Sequence, residues 1–350
     1  MSTGRHDNPF SKMVIAPMSI GEILRPALKR SRKITIKQSK SSLRNIKQVG
    51  QRKIEVMSEY ITRRLSDIYR TTPYIPELHP FYRELAQVLV DVDDLRKRLA
   101  KLKSIVAIIN KVKEESLNII RRAESRSDVI KARKSFLGRV LSLLEDLEED
   151  LAVIRDYQLK LKRIPDINPS LQTIVVAGPP NVGKSSFVKK VSTAEPEVRE
   201  YPFTTKSLIL GHIIIEDLYI QVLDTPGLLD RPLSKRNRVE LQAILALKHL
   251  AGVVIFMIDP SERCGYELEY QVNVYREVSE YFREIPMIVC LNKIDVADEK
   301  SIELAKKLLN REVIEMSVLE GVNVKEVVLK ALVYLEIPDY YLRKFTLYSS

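Results

Sequence analysis

The chain contains no tryptophan and only two cysteines among 350 residues. Cys264 and Cys290 cannot build a disulfide framework, and neither has Cys-x-x-Cys spacing, so a reducing compartment is expected. Cys290 lies in an apolar run and reads as a small buried side chain. Histidine is also scarce: His6, His79, His212 and His249 are scattered and form no metal-ligand set. Long hydrophobic runs are missing, and none approaches the ~18–20 residues of a membrane span. The opening Met1-Ser-Thr-Gly-Arg-His-Asp7 lacks the apolar stretch of a secretion signal. These absences predict a soluble, cytoplasmic protein with no membrane partner. A hydrophobic content of 45% with 29% charged residues is ordinary for a globular chain long enough for two or three domains. Internal repeats are not visible.

Acidic residues are missing from one stretch altogether. Between residues 23 and 54 stand eleven basic side chains (Arg25, Lys29, Arg30, Arg32, Lys33, Lys37, Lys40, Arg44, Lys47, Arg52 and Lys53) and no Asp or Glu. The net charge of +11 is unevenly spread: residues 1–170 hold 35 Lys and Arg against 21 Asp and Glu, residues 171–350 hold 22 against 25. The basic part therefore faces a different partner from the rest. Near-absence of glycine and aromatics in the run favours helices or an arm on a phosphate backbone over stacking on unpaired bases. An anionic membrane surface is the competing reading, but Ile23, Leu24, Ala27 and Leu28 offer only a weak apolar face.

Residues 19–70 read as helical with a break near 33–42, and Pro73, Pro76 and Pro80 mark a turn. From Pro80 to Arg163 the only glycine is Gly138, as long helices require. Leu95, Leu99, Leu102, Val106 and Ile109 step by four and three, as do Val140, Leu144, Leu147, Leu151, Ile154 and Leu161, with Gln158 as the polar member. Two long antiparallel helices packed with at least one more are expected, with an intermolecular coiled coil as the competitor. His79-Pro-Phe-Tyr82 reads as a helix-start packing element or, less simply, a base-contacting platform. Pro165 and Pro169 close this part, and strands then alternate with helices: Gln172–Ala177, Ser207–Ile215, Leu218–Leu223, Gly252–Asp259, Met287–Asn292 and Val313–Ser317. The fold class predicted is α/β: an N-terminal antiparallel helical bundle, then a domain with a mostly parallel sheet, its ligand loops at the strands' carboxyl ends. Expected boundaries are 1–168 for the basic helical domain, with 1–18 flexible, 169–336 for the second domain and 337–350 for a tail.

Residues 178–185, Gly-Pro-Pro-Asn-Val-Gly-Lys-Ser, form a phosphate-binding loop. Backbone N–H groups and the dipole of the next helix can cradle a β-phosphate, so Pro180, Asn181, Val182, Gly183, Lys184, Ser185 and Ser186 are candidate nucleotide contacts. Lys184 can reach the β/γ-phosphates, and the Ser185 hydroxyl can take one position on Mg²⁺. Asn292-Lys293-Ile294-Asp295 then selects the base. The Asp295 carboxylate can accept from both N1–H and the exocyclic amine of guanine, whereas adenine would leave one oxygen unpaired. Ser317-Val318 is the candidate backbone contact to guanine O6. Asp224-Thr-Pro-Gly227 fits the DxxG element: Asp224 holds Mg²⁺ through water and the Gly227 amide senses the γ-phosphate. In Tyr201-Pro-Phe-Thr-Thr-Lys206 one threonine should close on Mg²⁺ and the γ-phosphate, Thr205 by preference and Thr204 as the alternative. Leu228 stands where many GTPases place a water-orienting glutamine, which predicts slow or differently organised hydrolysis. Asn181 either helps hold K⁺ beside the phosphates or tightens its loop by a hydrogen bond. Asn181, Lys184, Thr205 and Gly227 are thus the candidate catalytic groups, GTP/GDP with Mg²⁺ the expected cofactors, and the second domain is predicted to be a P-loop GTPase domain.

These segments, with Asp259-Pro-Ser-Glu-Arg-Cys-Gly-Tyr266, His79-Pro-Phe-Tyr82 and Gly138-Arg139, resemble the Nog family of nucleolar-type GTP-binding proteins in the Obg/HflX superfamily. The resemblance covers roughly residues 40–335. It implies a GTPase acting in assembly of the large ribosomal subunit, with the helical domain against ribosomal RNA. It also accounts for an apolar residue after DxxG and links the loop asparagine to potassium. Eukaryotic members continue well past the GTPase domain, so functions of that extension do not transfer; the short form resembles archaeal members. The expected partners are the large-subunit precursor and its rRNA, not DNA, with a monomer when free. The alternative is a GTPase of RNA modification or ribosome rescue whose helical domain dimerises or binds protein.

Overall fold

A computed structural model describes residues 8–35, 42–201 and 207–348. The basic residues Lys37 and Lys40 and the candidates Thr204 and Thr205 lie outside them. Two compact units are interleaved along the chain. One comprises residues 9–75 and 89–162; the other comprises Asn8, residues 76–88 and residues 163 onward. Segment 76–88 therefore belongs to the unit that carries the sheet, although helices of the other unit flank it in sequence.

Among the described residues, the long elements of the first unit are helices: α1 (Gly21–Arg32), α2 (Leu43–Thr71), α4 (Val92–Arg122), α5 (Arg126–Glu145) and α6 (Glu148–Leu161), while α3 (Pro80–Leu89) lies almost wholly in segment 76–88 of the other unit. The helix starts follow local chemistry. Ser42 accepts from Asn45 N–H, Asp91 from Asp94 N–H at 2.9 Å, and Ser125 with Asp128 forms a reciprocal capping box. On α2, Ile54, Met57, Ile61, Leu65 and Ile68 are buried at helical spacing. Gly50 permits close approach of α2 to α5, since a Cβ there would lie 2.6 Å from Val129 Cγ1.

The second apolar seam is buried from Val140 to Leu161, but it belongs to two helices, not one. The break falls at Asp146 and Leu147, whose backbones remain in the αR region, so the helical phase carries across it. Gln158, the seam's polar member, is fully buried and satisfied: Ala16 N donates to its Oε1 at 2.8 Å, and its Nε2 donates to Val14 O and Thr72 Oγ1. Segment 8–18, expected to be flexible, is instead packed. Phe10, Met13 and Ala16 are buried, and Arg155 donates to Ala16 O at 2.7 Å. Arg98 and Lys101 of α4 meet the buried Asp150 of α6 at 2.8 and 2.5 Å.

Among the described residues, the second unit is built on a seven-stranded sheet: β1 (Gln172–Ala177), β2 (Glu197–Arg199), β3 (Leu208–Ile215), β4 (Leu218–Asp224), β5 (Val253–Ile258), β6 (Met287–Leu291) and β7 (Ile314–Glu315). The order is β2-β3-β4-β1-β5-β6-β7, with the β2–β3 and β3–β4 pairs antiparallel and the other pairs parallel. Every residue of β5 and β6 is buried, as strands covered on both faces require. The helices are α7 (Lys184–Val191), α8 (Arg238–Lys248), α9 (Leu268–Tyr281), α10 (Glu299–Leu309), α11 (Val324–Tyr334) and α12 (Asp339–Tyr348). The tail at 337–350 is thus mostly helix. Tyr340 and Tyr341 donate to Glu216 and Asp217 at the β3–β4 turn, and Lys344 pairs with Glu216.

His79-Pro-Phe-Tyr82 starts α3. His79 Nδ1 accepts from Phe81 N, Phe81 and Tyr82 are buried edge to face, and Tyr82 Oη donates to Ile167 O at 2.6 Å. The packing reading of that motif is the one the contacts support; its rings offer no open platform for bases.

Candidate functional site

Five loops converge at the carboxyl edge of the parallel strands, the place where ligands bind in such sheets. The first leaves β1 at Gly178, where φ is 136° and a Cβ would lie 2.3 Å from the Met257 carbonyl oxygen of β5. Gly183, at φ 104°, precedes α7, and a Cβ there would lie 2.4 Å from Asn292 Nδ2. Only glycine fits both positions. Asn181 takes φ 62°, a conformation asparagine tolerates, and its Nδ2 donates to Cys264 O at 3.3 Å. Lys184 is buried at the base of the loop, its ammonium donating to Gly178 O at 2.8 Å and Pro179 O at 2.7 Å. The loop thus has its wrapped shape ready, with a cation held against it.

Asp224 ends β4 and is fully buried. Ser185 Oγ donates to its Oδ2 at 2.5 Å, while Oδ1 has no hydrogen-bond partner among the described residues. Burial pushes this carboxyl above its ordinary range, against the pull of the Lys184 charge and the Ser185 bond. A buried carboxylate oxygen without a partner is what a hydrated divalent cation satisfies, and a serine hydroxyl beside it adds a second hard donor. The donor set fits Mg²⁺.

Gly227, at φ 84°, directs its N–H to Asp230 Oδ2 at 2.8 Å. Arg236, a residue not foreseen from the motifs, has a fully buried side chain. It donates to Gly227 O at 2.7 Å, Leu228 O at 2.6 Å and Asp230 Oδ1 at 2.9 Å. Leu228 is itself wholly buried, so it presents nothing to a water molecule. Gly178 N donates to Leu229 O, which ties this loop to the phosphate loop.

The base side is organised by Asn292 and Asp259. Asn292 is buried and spends both ends of its amide on the protein: Nδ2 donates to Val182 O at 2.8 Å, and Oδ1 accepts from Val318 N at 3.0 Å. Ser317 N is engaged by Val322 O, and Ser317 Oγ accepts from Glu320 N. Both N–H groups of the Ser317-Val318 pair, the candidate backbone contact to guanine O6, are therefore bonded within the protein here. Lys293, at φ 65°, reaches the fully buried Asp259 at 2.8 Å. Asp259 also accepts from Ser261 N and Cys264 N, so it shapes the 259–266 loop against which Asn181 rests. Asp295 is exposed and makes no hydrogen bond or ion pair among the described residues.

Between these loops lies a cavity of about 760 Å³ lined by Gly183, Ser186, Asn292, Asp295, Val318 and Leu319 among others. Its size falls within the range of small-molecule sites. Lys189 and Lys190, which no motif indicated, also line it, as does Arg263 of the 259–266 segment. The loops bring together Asn181, Lys184, Ser185, Asp224, Gly227, Asn292, Lys293 and Asp295 in one unit.

A glycine-shaped phosphate loop beside a DxxG turn and an NKxD-lined cavity defines the P-loop class of GTP-binding folds. Comparison with known sequences is specific. The model of the NOG1 N-terminal helical domain matches residues 10–168, and that of nucleolar GTP-binding protein 1 (NOG1) matches residues 238–295. The chain is 39% identical to an uncharacterized protein of Methanocaldococcus jannaschii over 302 residues, 85% of this chain and 84% of the other. It is 35% identical to nucleolar GTP-binding protein 1 of Drosophila melanogaster over 288 residues, 82% of this chain and 44% of that one. A crystal structure of nucleolar GTP-binding protein 1 from Plasmodium falciparum aligns with 36% identity over 49% of this chain and 90% of its own, at a TM-score of 0.43. The chain belongs to the NOG1 family of GTP-binding proteins, and it spans less than half the length of the Drosophila relative.

Proposed function

We propose that the chain is a GTP-hydrolysing switch that acts in assembly of the large ribosomal subunit and binds precursor rRNA through its basic helical unit. The observation carrying the nucleotide half is the convergence of Lys184, Ser185, Asp224, Gly227 and Asp295 around the phosphate loop and its 760 Å³ cavity. In this reading Lys184 and the loop amides bind the phosphates, and Asp295 reads guanine. Asn292 braces the phosphate loop against the 317–319 loop so that base and phosphate subsites keep their spacing. Ser185, Asp224 and either Thr205 or Thr204 would hold Mg²⁺, which when bound neutralises charge on the β- and γ-phosphates.

Hydrolysis is slow in this reading because buried Leu228 supplies no water-orienting group. Asn181, held by Cys264 O through its amide nitrogen, keeps its amide oxygen for a monovalent cation such as K⁺. The relatives' name and the acid-free run at 23–54 support the ribosomal half. Within that run, Arg25, Lys29, Arg32 and Lys33 of α1 and the residue after it line one cavity of about 580 Å³ with Leu28. Clustered guanidinium and ammonium groups suit a phosphate backbone. Cytoplasmic location and a free monomer complete the proposal; no helix among the described residues is long and apolar enough to cross a membrane.

Single-turnover GTP hydrolysis with and without added large subunits tests the switch: stimulation is expected, and equal rates at every subunit concentration would contradict it. The competing reading, a GTPase of RNA modification or ribosome rescue, would instead place the native protein on finished ribosomes or in free dimers.

A further inference from the structure

The turn after Asp224 is held by this chain's own buried charges. Gly227 N–H donates to one carboxylate oxygen of Asp230 at 2.8 Å, and the other oxygen accepts from Arg236 at 2.9 Å. The Arg236 guanidinium also grips the carbonyl oxygens of Gly227 and Leu228, and Glu240 Oε1 stands 3.4 Å from it. The side chains of Arg236 and Asp230 are 0% and 8% exposed, so water does not screen this arrangement. Leu228 and Leu229, which stand between Gly227 and Asp230, are both fully buried.

An aspartate oxygen and a γ-phosphate oxygen are the same kind of acceptor, an anionic oxygen, and one backbone N–H makes one good bond. We propose that Asp230 is an internal competitor for the γ-phosphate: it occupies the Gly227 N–H when no γ-phosphate is present, Arg236 holds it there, and it must leave when a triphosphate binds. GDP lacks the competing group, so Asp230 sets the preference between GTP and GDP rather than nucleotide affinity as such. Arg236 is a positioning residue acting through Asp230. Its Nε is buried without a hydrogen-bond partner among the described residues. The inference rests on the reading of Gly227 as the γ-phosphate contact.

The test is equilibrium binding of fluorescent GDP and a fluorescent non-hydrolysable GTP analogue to the full chain and to Asp230→Asn. Asparagine keeps the shape and an acceptor but loses the charge, which roughly halves the strength of such a bond. The analogue should bind about tenfold more tightly than to the unaltered chain, a gain of ~1.4 kcal/mol, with GDP affinity unchanged. Arg236→Lys, which replaces the planar two-nitrogen fork that reaches Asp230 and both carbonyls by a single nitrogen, should move the same ratio in the same direction. A purely structural role would shift both affinities together. In the unaltered chain, the Asp230 carboxyl carbon resonance should move with the analogue and stay put with GDP, a readout that needs no variant. If the unaltered chain bound neither nucleotide, the function proposed above would fall. If it bound both, an unchanged affinity ratio in Asp230→Asn or an unmoved Asp230 resonance would overturn this inference alone.

Discussion

Replacing Asn292 by alanine should weaken the fold before it weakens base recognition. Its amide closes two buried backbone groups, Val182 O at 2.8 Å and Val318 N at 3.0 Å, and Val182 and Val318 are 0% and 6% exposed. An orphaned buried donor or acceptor costs about 1–3 kcal/mol. Two of them predict a loss of about 2–6 kcal/mol in the sheet unit, a large share of a typical domain's stability. Asp295 offers the contrast: it is exposed and unpaired among the described residues, so Asp295→Asn should stay within about 0.5 kcal/mol of the unaltered chain. That variant should instead lose GTP affinity and gain xanthosine triphosphate. Urea unfolding of the nucleotide-free proteins measures the first effect, and hydrogen exchange at the Val318 amide reports whether its bond is lost. If Asn292→Ala unfolded with the unaltered chain while losing GDP as Asp295→Asn does, the brace would be wrong and Asn292 would act on the base alone.

Other outcomes follow from the same contacts. Asp224→Asn removes a desolvated charge whose carboxyl burial already pushes up, so the nucleotide-free variant should melt higher at neutral pH while losing Mg²⁺-dependent GTP binding; a lower melting point would contradict the desolvation argument. Gly50→Ala gains up to about 1 kcal/mol of helix propensity but drives a Cβ to 2.6 Å from Val129 Cγ1, so thermal unfolding should show net destabilisation of about 1 kcal/mol. GTP turnover should be faster in KCl than in NaCl at equal ionic strength if Asn181 serves a monovalent cation, and equal rates would leave it as a loop tie to Cys264 O.

The phosphate loop was legible because glycine spacing is dictated by backbone geometry: Gly178 and Gly183 sit where φ is positive and a side chain would collide. The alternation of apolar strands and amphipathic helices was legible for the same local reason. What was not legible depends on partners distant in sequence. β2 is a three-residue edge strand, Glu197-Val-Arg199, with no apolar run to announce it. The order in segment 8–18 depends on Gln158, more than 140 residues away, whose seam position showed only that a polar group was buried. The α5–α6 break escaped because both turn residues keep near-helical backbones, so the apolar period runs on. Arg236 carries no motif, and only the folded turn after Gly227 shows what its guanidinium holds. Likewise, that Ser317 and Val318 amides are already bonded follows from the Asn292 side chain and the Val322 carbonyl, not from their own identity.

The central claim joins a guanine-nucleotide site to a basic helical unit on precursor RNA. The most direct measurement is crosslinking of the full chain to RNA in large-subunit precursor particles, repeated across a KCl series. The account predicts crosslinks from the 23–54 run to large-subunit rRNA, with apparent affinity falling steeply and linearly in log–log form as salt rises, by about 0.7–0.9 per phosphate contact. Association indifferent to salt, or crosslinks confined to protein, would contradict it.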